Sequence, residues 1–170
     1  MEVIPSFQVD HTGLRPGIYI SRQDKVSDDA VFTTYDIRMT APNQEPAIAP
    51  AAIHTIEHLV ATYLRNLDGW KQNIIYWGPM GCLTGCYFIT NTDYEIQPKD
   101  IEKLIRAAYR YMANYKGEVP GATPVNCGNY ILHDLAMAKW EAREFLARPW
   151  KFDYPKAKRI VAGGKTFYDA

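Results

Sequence analysis

Two histidines and a glutamate crowd into five residues, His54-Thr55-Ile56-Glu57-His58. On a helix, at about 100° per residue, His54 and His58 stand about 40° apart in azimuth and about 6 Å apart along the axis. Glu57 lies on the other side of His54, so the three side chains share an arc of about 100°. Two imidazoles four residues apart reach one divalent ion, and a carboxylate beside them takes or gives a proton. The spacing H-x-x-E-H is that of the inverted zinc-binding motif. Ordinary surface histidines on an amphipathic helix are the plainer alternative, yet two of the chain's four histidines share this window.

A catalytic metal site needs a third protein ligand and one open position. The candidates are His11, His133 and the cysteines Cys82, Cys86 and Cys127. Cys127 stands out because it follows Thr123-Pro124-Val125-Asn126 and precedes Gly128, just ahead of a predicted helix. A helix N-terminus favours the thiolate, the form that binds metal. Cys127 is far from His58 in the chain, so only folding joins them, and His133 is the competitor. Cys82 sits in Gly78-Pro79-Met80-Gly81-Cys82-Leu83-Thr84-Gly85-Cys86, whose glycines free the backbone where a chain approaches a ligand closely. A thiol presented there beside a cation would ionise near neutral pH and act as nucleophile or base. A plain turn before a strand is the alternative.

The elements that position these groups follow from periodicity. Apolar residues recur at three-to-four spacing over 51–67 (Ile53, Ile56, Val60, Leu64), with Pro50 suited to the start and Gly69 to the end. The same spacing predicts helices over 99–116 and 129–148, the last capped by Asn129 and stopped by Pro149. Runs rich in β-branched and aromatic residues predict strands over 17–22, 31–39, 72–77 and 86–92. In the second run Thr34, Asp36 and Arg38 share one face, and Tyr35, Ile37 and Met39 the other. The order strand, strand, helix, strand, strand, helix, helix predicts an α+β fold, a mostly antiparallel sheet packed against helices with the metal site at one helix face.

With 170 residues, the chain fits a single domain, 1–170, large enough to fold without disulfide staples. Lys plus Arg and Asp plus Glu number 19 each, which gives no electrostatic reason to expect nucleic acid or an anionic membrane as partner. No apolar run approaches a membrane span, and Met1-Glu2-Val3-Ile4-Pro5 lacks the plan of a secretion signal, so the expected compartment is cytoplasmic. Under reducing conditions an odd count of three cysteines points to metal binding, catalysis or simple burial rather than bridging.

Taken together, these pieces resemble the S-ribosylhomocysteine lyases, the LuxS family. The matching motifs are Ser6-Phe7-x-x-Asp10-His11-Thr12, Tyr35-Asp36-Ile37-Arg38 followed by Ala41-Pro42-Asn43, His54-Thr55-Ile56-Glu57-His58-Leu59, Pro79-Met80-Gly81-Cys82-x-Thr84-Gly85, and Cys127-Gly128-Asn129. They run in the family's order over residues 5–129. The resemblance implies His54, His58 and Cys127 as ligands of one divalent metal per subunit. It points to Fe²⁺ in cells, with Zn²⁺ or Co²⁺ able to substitute. It implies Glu57 and Cys82 as the acid/base pair, and Ser6, Phe7, His11 and Arg38 around the substrate. Arg38 suits a carboxylate such as that of the homocysteine portion; a sheet-edge salt bridge is the alternative. A homodimer with active sites at the interface, Ser6 to His11 reaching across, is implied as well. Two positions depart from the pattern: Leu83 stands where the family usually has a basic or amide residue, and Tyr76 where it often has an acid.

The reaction the resemblance implies is cleavage of the thioether of S-ribosylhomocysteine to homocysteine and dihydroxypentanedione. The family's attributed role for the product is signalling (autoinducer synthesis, quorum sensing), and recycling of a methylation by-product follows as directly from the chemistry. A zinc peptidase would also use H-x-x-E-H, with Glu57 activating water, but leaves Cys82 without a task. A structural zinc site in a binding module would be closed by four protein ligands.

Overall fold

The computed structural model describes residues 7, 9–28 and 30–153. Four strands, β1 (Gly17–Ser27), β2 (Ala30–Arg38), β3 (Ile74–Pro79) and β4 (Gly85–Thr92), form one sheet in the order β1-β2-β4-β3. Every neighbouring pair is antiparallel. Three helices, α1 (Pro50–Arg65), α2 (Pro98–Ala113) and α3 (Leu135–Ala147), complete the α+β fold expected from the element order.

Strand periodicity sorts the sheet into two unlike faces. Pairing aligns Ile18 with Ile37 and Cys86, and Ile20 with Tyr35, Phe88 and Trp77. These side chains share one core with Ile53, Ile56 and Val60 of α1, Ile105 and Tyr109 of α2, and Ala138 and Phe145 of α3. Each fully buried Ile, Leu or Phe in that layer contributes roughly 1.5–3 kcal/mol. The alternate positions, Tyr19, Asp36, Tyr87 and Arg38, point the other way, where Tyr19 joins Val9 and Leu14 in a small second cluster. Asp36 and Arg38 are nonetheless buried, so this outer face carries a polar network rather than a solvated surface.

Several boundaries differ from the sequence expectation, among them the end of α2, at Ala113 rather than 116. β1 runs on to Ser27 because the polar stretch Gln23–Ser27 pairs with residues 30–33 as a hairpin arm, where backbone hydrogen bonds do the work that side-chain alternation does elsewhere. β3 starts at Ile74, after a short 3-10 turn over Lys71–Asn73. The third helix starts at Leu135 with Asp134 as its cap, accepting from the Met137 amide at 2.9 Å. Residues 129–132 close a single turn, the Leu132 amide on the Asn129 carbonyl at 3.0 Å, and the chain then docks on the first helix: the Asp134 amide reaches the Ala51 carbonyl at 3.2 Å and the Thr55 hydroxyl at 2.9 Å, and the Leu132 carbonyl accepts from His54. Those backbone groups are satisfied by α1, not by a helical turn of their own.

Gly85, opposite Arg38 in the β2–β4 ladder, has no room for a side chain: a Cβ there would overlap the Ile37 carbonyl oxygen and lie 3.1 Å from Arg38 Cα. Backbone cannot swing aside as a side-chain tip can. Gly85→Ala should therefore destabilise the protein by roughly 1–3 kcal/mol, as overpacking does, seen calorimetrically as a Tm lowered by roughly 3–10 °C. An unchanged Tm would show that the ladder tolerates the methyl group.

Candidate metal centre and active site

The buried stripe of α1 (Ala52, Ile53, Ile56, Leu59, Val60, Leu64) leaves His54, Glu57 and His58 half-buried along its border. There the segment 120–133 folds back over the helix. Each α1 histidine is held by a carbonyl of that segment, which accepts from its Nδ1–H: Leu132 for His54 at 2.8 Å and Pro120 for His58 at 2.7 Å. Gly121, at φ 71° in the left-handed region, lets the turn deliver the Pro120 carbonyl, and a Cβ there would lie 3.5 Å from His58 Nδ1. With Nδ1 carrying the proton, each ring offers its Nε2 lone pair, the arrangement found around ligating histidines.

Cys127 completes the group, its Sγ 3.4 Å from His54 Nε2 and within reach of the Asn129 amide at 3.5 Å. His54, His58, Cys127 and His133 each bring one ligand atom, all within 4.8 Å of one another, so this cluster could hold a metal ion. The chemistry of the set, imidazole nitrogens plus one sulfur, suits a borderline divalent ion. The expectation that a helix N-terminus presents Cys127 is corrected: α3 begins eight residues later, and the sulfur is carried by a turn closed by its own amide on the Thr123 carbonyl at 3.0 Å.

His133 is the fourth member of the cluster. Its ring stacks on that of His54, centroids 4.2 Å apart and planes 19° apart, and stands nearly perpendicular to that of His58 at 74°, as the His54 ring does at 86°. The Cys127 sulfur, 3.4 Å from His54 Nε2, lies on the His54 side of that pair. Burial first, then the nearby charges of His54 and His58, hold His133 below the ordinary histidine value, so it is neutral at pH 7.

A second network occupies the β3–β4 turn. Cys82 is exposed at its apex, next to Leu83, whose φ of 57° places a non-glycine residue in the left-handed region. Arg38 donates from Nε and Nη2 to the two carboxylate oxygens of Asp36, and from Nη1 to the Thr84 hydroxyl and, at 3.6 Å, to Cys82 Sγ. The Thr84 hydroxyl also lies 3.1 Å from Cys82 Sγ, and toward a thiolate it is the donor. Burial alone would push the Cys82 thiol up, but the Thr84 hydroxyl and backbone N–H, then the Arg38 charge and hydrogen bond, outweigh it and bring the thiol below its ordinary value. The sheet-edge salt bridge weighed for Arg38 is thus an interior one, side chains 4% and 3% exposed, on a central strand, and it aims the guanidinium at a sulfur.

A thiol held low is a thiolate over more of the pH range, and a base acts in that form. Thr84→Val keeps shape but removes the hydroxyl donor, so the Cys82 thiol should rise. A thiolate-dependent rate climbs as pH rises through the thiol's pKa, so the acid limb should move to higher pH. Activity near pH 7 should drop several-fold and recover in alkali. Rate–pH profiles of wild type and Thr84→Val check this, and superimposable acid limbs would remove Thr84 from the network.

Glu57 faces a groove of about 400 Å³, shared with His58, Arg65, Tyr76 and Asn126, a volume that admits a small molecule. Tyr76 stands where the family often has an acid; burial, then the charge of Glu57, pushes its phenol up, so it stays neutral. His11 is half-buried with Nδ1–H donating to the Val9 carbonyl at 2.8 Å, Phe7 is 71% exposed, and Ser6 lies outside the described residues. Among the described residues no hydrogen bond or ion pair joins the α1 donors to the Cys82 network. Sequence reading passed over Thr84, Asp36 as the partner of Arg38, and the Leu132 and Pro120 carbonyls. Asp36 is legible in hindsight as a same-face strand neighbour of Arg38, while Thr84 lies in the turn before β4 and carbonyls leave no trace in residue identity.

The family model described as S-Ribosylhomocysteinase (LuxS) matches residues 4–154. A protein of Phocaeicola vulgatus named S-ribosylhomocysteine lyase is 55% identical over 146 residues, 86% of this chain and 89% of that one. Proteins with the same name from Porphyromonas gingivalis (53%, covering 86% and 90%) and Clostridium acetobutylicum (50%, covering 86% and 91%) are similar over the same span. With a family match over nearly its whole length and relatives at this identity, the chain belongs to the S-ribosylhomocysteinase (LuxS) family.

Proposed function

We propose that this protein is an S-ribosylhomocysteine lyase, a carbon–sulfur lyase acting as one catalytic domain over residues 1–170. The observation that carries the reading is the approach of Cys127 Sγ to His54 Nε2, 3.4 Å apart, on the helix that also bears His58 and Glu57. His54, His58 and Cys127 would hold the divalent metal. Fe²⁺ is the working ion in this reading, with Zn²⁺ or Co²⁺ as substitutes, since the donor set accepts all three. Bound there, the ion would supply Lewis acidity, drawing electron density from the sugar's carbonyl so that protons on adjacent carbons become removable.

The remaining work is proton transfer by side chains. Cys82, as thiolate, and Glu57 take protons from one carbon and return them to the next, shifting the carbonyl from C1 to C2 and then to C3. Removal of the C4 proton then turns its C–H electron pair into a C4–C5 double bond, and the C5–S bond breaks with its electrons on the homocysteine sulfur. The sulfur takes a proton to give homocysteine, and the C4 enol left behind loses its hydroxyl proton and gains one at C5 to give dihydroxypentanedione. Electrons only move within the substrate, so the chemistry balances without an external oxidant or reductant. Arg38 and Thr84 keep Cys82 ionised, and Ser6, Phe7 and His11 are assigned to the substrate's surroundings.

A homodimer with its sites at the interface is part of the proposal. Its support is exposed apolar side chains: Val125 and Ile131, on either side of Cys127 in the chain, are 93% and 77% exposed, and Phe7 is 71% exposed. No described helix is long and apolar enough to cross a membrane, and the substrate, a metabolite of methyl transfer, places the enzyme in the cytoplasm in this reading. The test is to incubate metal-loaded protein with S-ribosylhomocysteine and titrate thiol with a disulfide reagent. Release of one thiol per substrate is expected; none would end the proposal.

A further inference from the structure

Every buried residue of α1 is apolar except Thr55, which is fully enclosed between the two histidines. Valine has nearly the same shape and would pack there without a polar atom, so the hydroxyl is explained only by what it touches. It donates to the Ala51 carbonyl at 2.8 Å, one turn back, a bond that by itself does little for a helix. Its other contacts leave the helix. It accepts from the Asp134 amide at 2.9 Å and lies 3.2 Å from Nδ1 of His133, whose other nitrogen is buried without a hydrogen-bond partner. Both residues belong to the segment that folds back over α1 carrying Cys127. That segment is slung between two attachments to the helix. At one end His58 donates to the Pro120 carbonyl; at the other His54 donates to the Leu132 carbonyl, and Thr55 holds the Asp134 amide. Two of these three anchors use rings of the donor cluster, whereas the Thr55 anchor uses a hydroxyl and a backbone amide that are not part of it. Between the sulfur and Asp134 the chain is short and closed by turns, the Cys127 amide on the Thr123 carbonyl and the Leu132 amide on the Asn129 carbonyl, both at 3.0 Å, so slack at Asp134 reaches the sulfur.

We infer that Thr55 is a positioning residue of the metal centre: its buried hydroxyl fixes the end of the returning segment and so sets Cys127 Sγ against His54 Nε2, 3.4 Å apart. The inference rests on the assignment of His54, His58 and Cys127 as metal ligands in the lyase reading. A sulfur on a loose loop must be ordered when it binds, and that lost freedom is subtracted from metal affinity; a docked loop presents the sulfur in place. Valine at position 55 would leave the Asp134 amide with only its longer bond to the Ala51 carbonyl, at 3.2 Å, and loosen the sulfur without touching a ligand.

The test is the Co²⁺ affinity of the full chain, read from its visible absorption, against a chelator where binding is tight and by direct titration where it is weak. Thr55→Val should weaken cobalt binding about 10-fold or more, as loss of a group behind the ligands does. Thr55→Ser, which keeps the hydroxyl, should recover most of that loss. In a Cys127→Ala background the same Thr55→Val change should alter cobalt affinity by no more than about twofold, because a residue that acts through the sulfur has nothing left to position. A general loosening of the fold would weaken cobalt binding equally with and without Cys127, and that result would overturn the inference. So would wild-type affinity in Thr55→Val or no recovery in Thr55→Ser. Amide exchange in unmutated, zinc-loaded protein decides the matter even if Thr55→Val does not fold: the Asp134 amide should exchange at least about 100-fold more slowly than an unprotected one, and free exchange would refute the anchor. A sulfur-to-cobalt band that is lost in Cys127→Ala, with affinity unchanged in Thr55→Val, overturns this inference alone. A band absent from wild type, or surviving in Cys127→Ala, overturns the ligand assignment and this inference with it.

Discussion

Cys82→Ala should lower thiol release from S-ribosylhomocysteine by about 10²–10⁴-fold, the usual worth of a positioned acid/base group, while the protein keeps its fold and one metal per chain. The side chain is exposed at a turn and fills no core space, so its removal leaves packing intact. What is lost is the sulfur that Arg38 and Thr84 hold at 3.6 and 3.1 Å. Cys82→Ser is the sharper variant, because a hydroxyl keeps the hydrogen bonds but does not ionise near neutral pH; it should be as inactive as alanine. Rates within a factor of two of wild type for either variant would mean that Cys82 moves no proton. The same pair of variants separates lyase from peptidase chemistry, in which Glu57 activates water and Cys82 has no part, so that hydrolysis would persist undiminished.

How far the sequence foretold this arrangement depended on where each residue's partners lie. The first helix was readable because its signals are local: Pro50 starts it, its apolar stripe has helical period, and its chemistry borders that stripe. The antiparallel sheet followed from β-branched runs in hairpin order. Readability failed where long-range contacts compete with local ones. Asn129 looks like a helix cap, but residues 129–132 close a single turn and the Leu132 carbonyl and Asp134 amide are claimed by His54, Ala51 and Thr55, so helix formation waits until Leu135. Cys127 was chosen on the premise of a helix start that is not there; its approach to His54 comes from that same return of the chain over α1. For Arg38 a substrate carboxylate and a salt bridge were both open, and the structure shows the salt bridge, to Asp36, with Thr84 also against the guanidinium. His133 was weighed only as a rival ligand, because ring stacking and an unsatisfied nitrogen are properties of coordinates and not of residue types.

The largest single effect should come from Cys127→Ala. Cys127 is the one donor of the cluster that binds as an anion, and metal binding depends on ligands that shed their proton. Deleting it leaves only imidazoles, those of His54 and His58 and the His133 ring stacked on His54. Imidazoles without the thiolate hold a divalent ion poorly against a chelator, so bound metal should fall from one per chain to a small fraction after dialysis. Lewis acidity of a metal is worth several kcal/mol, which at 1.36 kcal/mol per tenfold amounts to a loss of roughly 10³-fold or more. With Co²⁺ the discriminating signal is the sulfur-to-metal absorption, expected to vanish in Cys127→Ala and to persist in Cys82→Ala. Should the band instead disappear with Cys82, the two sulfurs have exchanged roles: the turn at β3–β4 would carry the metal, and the thiol beside His54 would be the base.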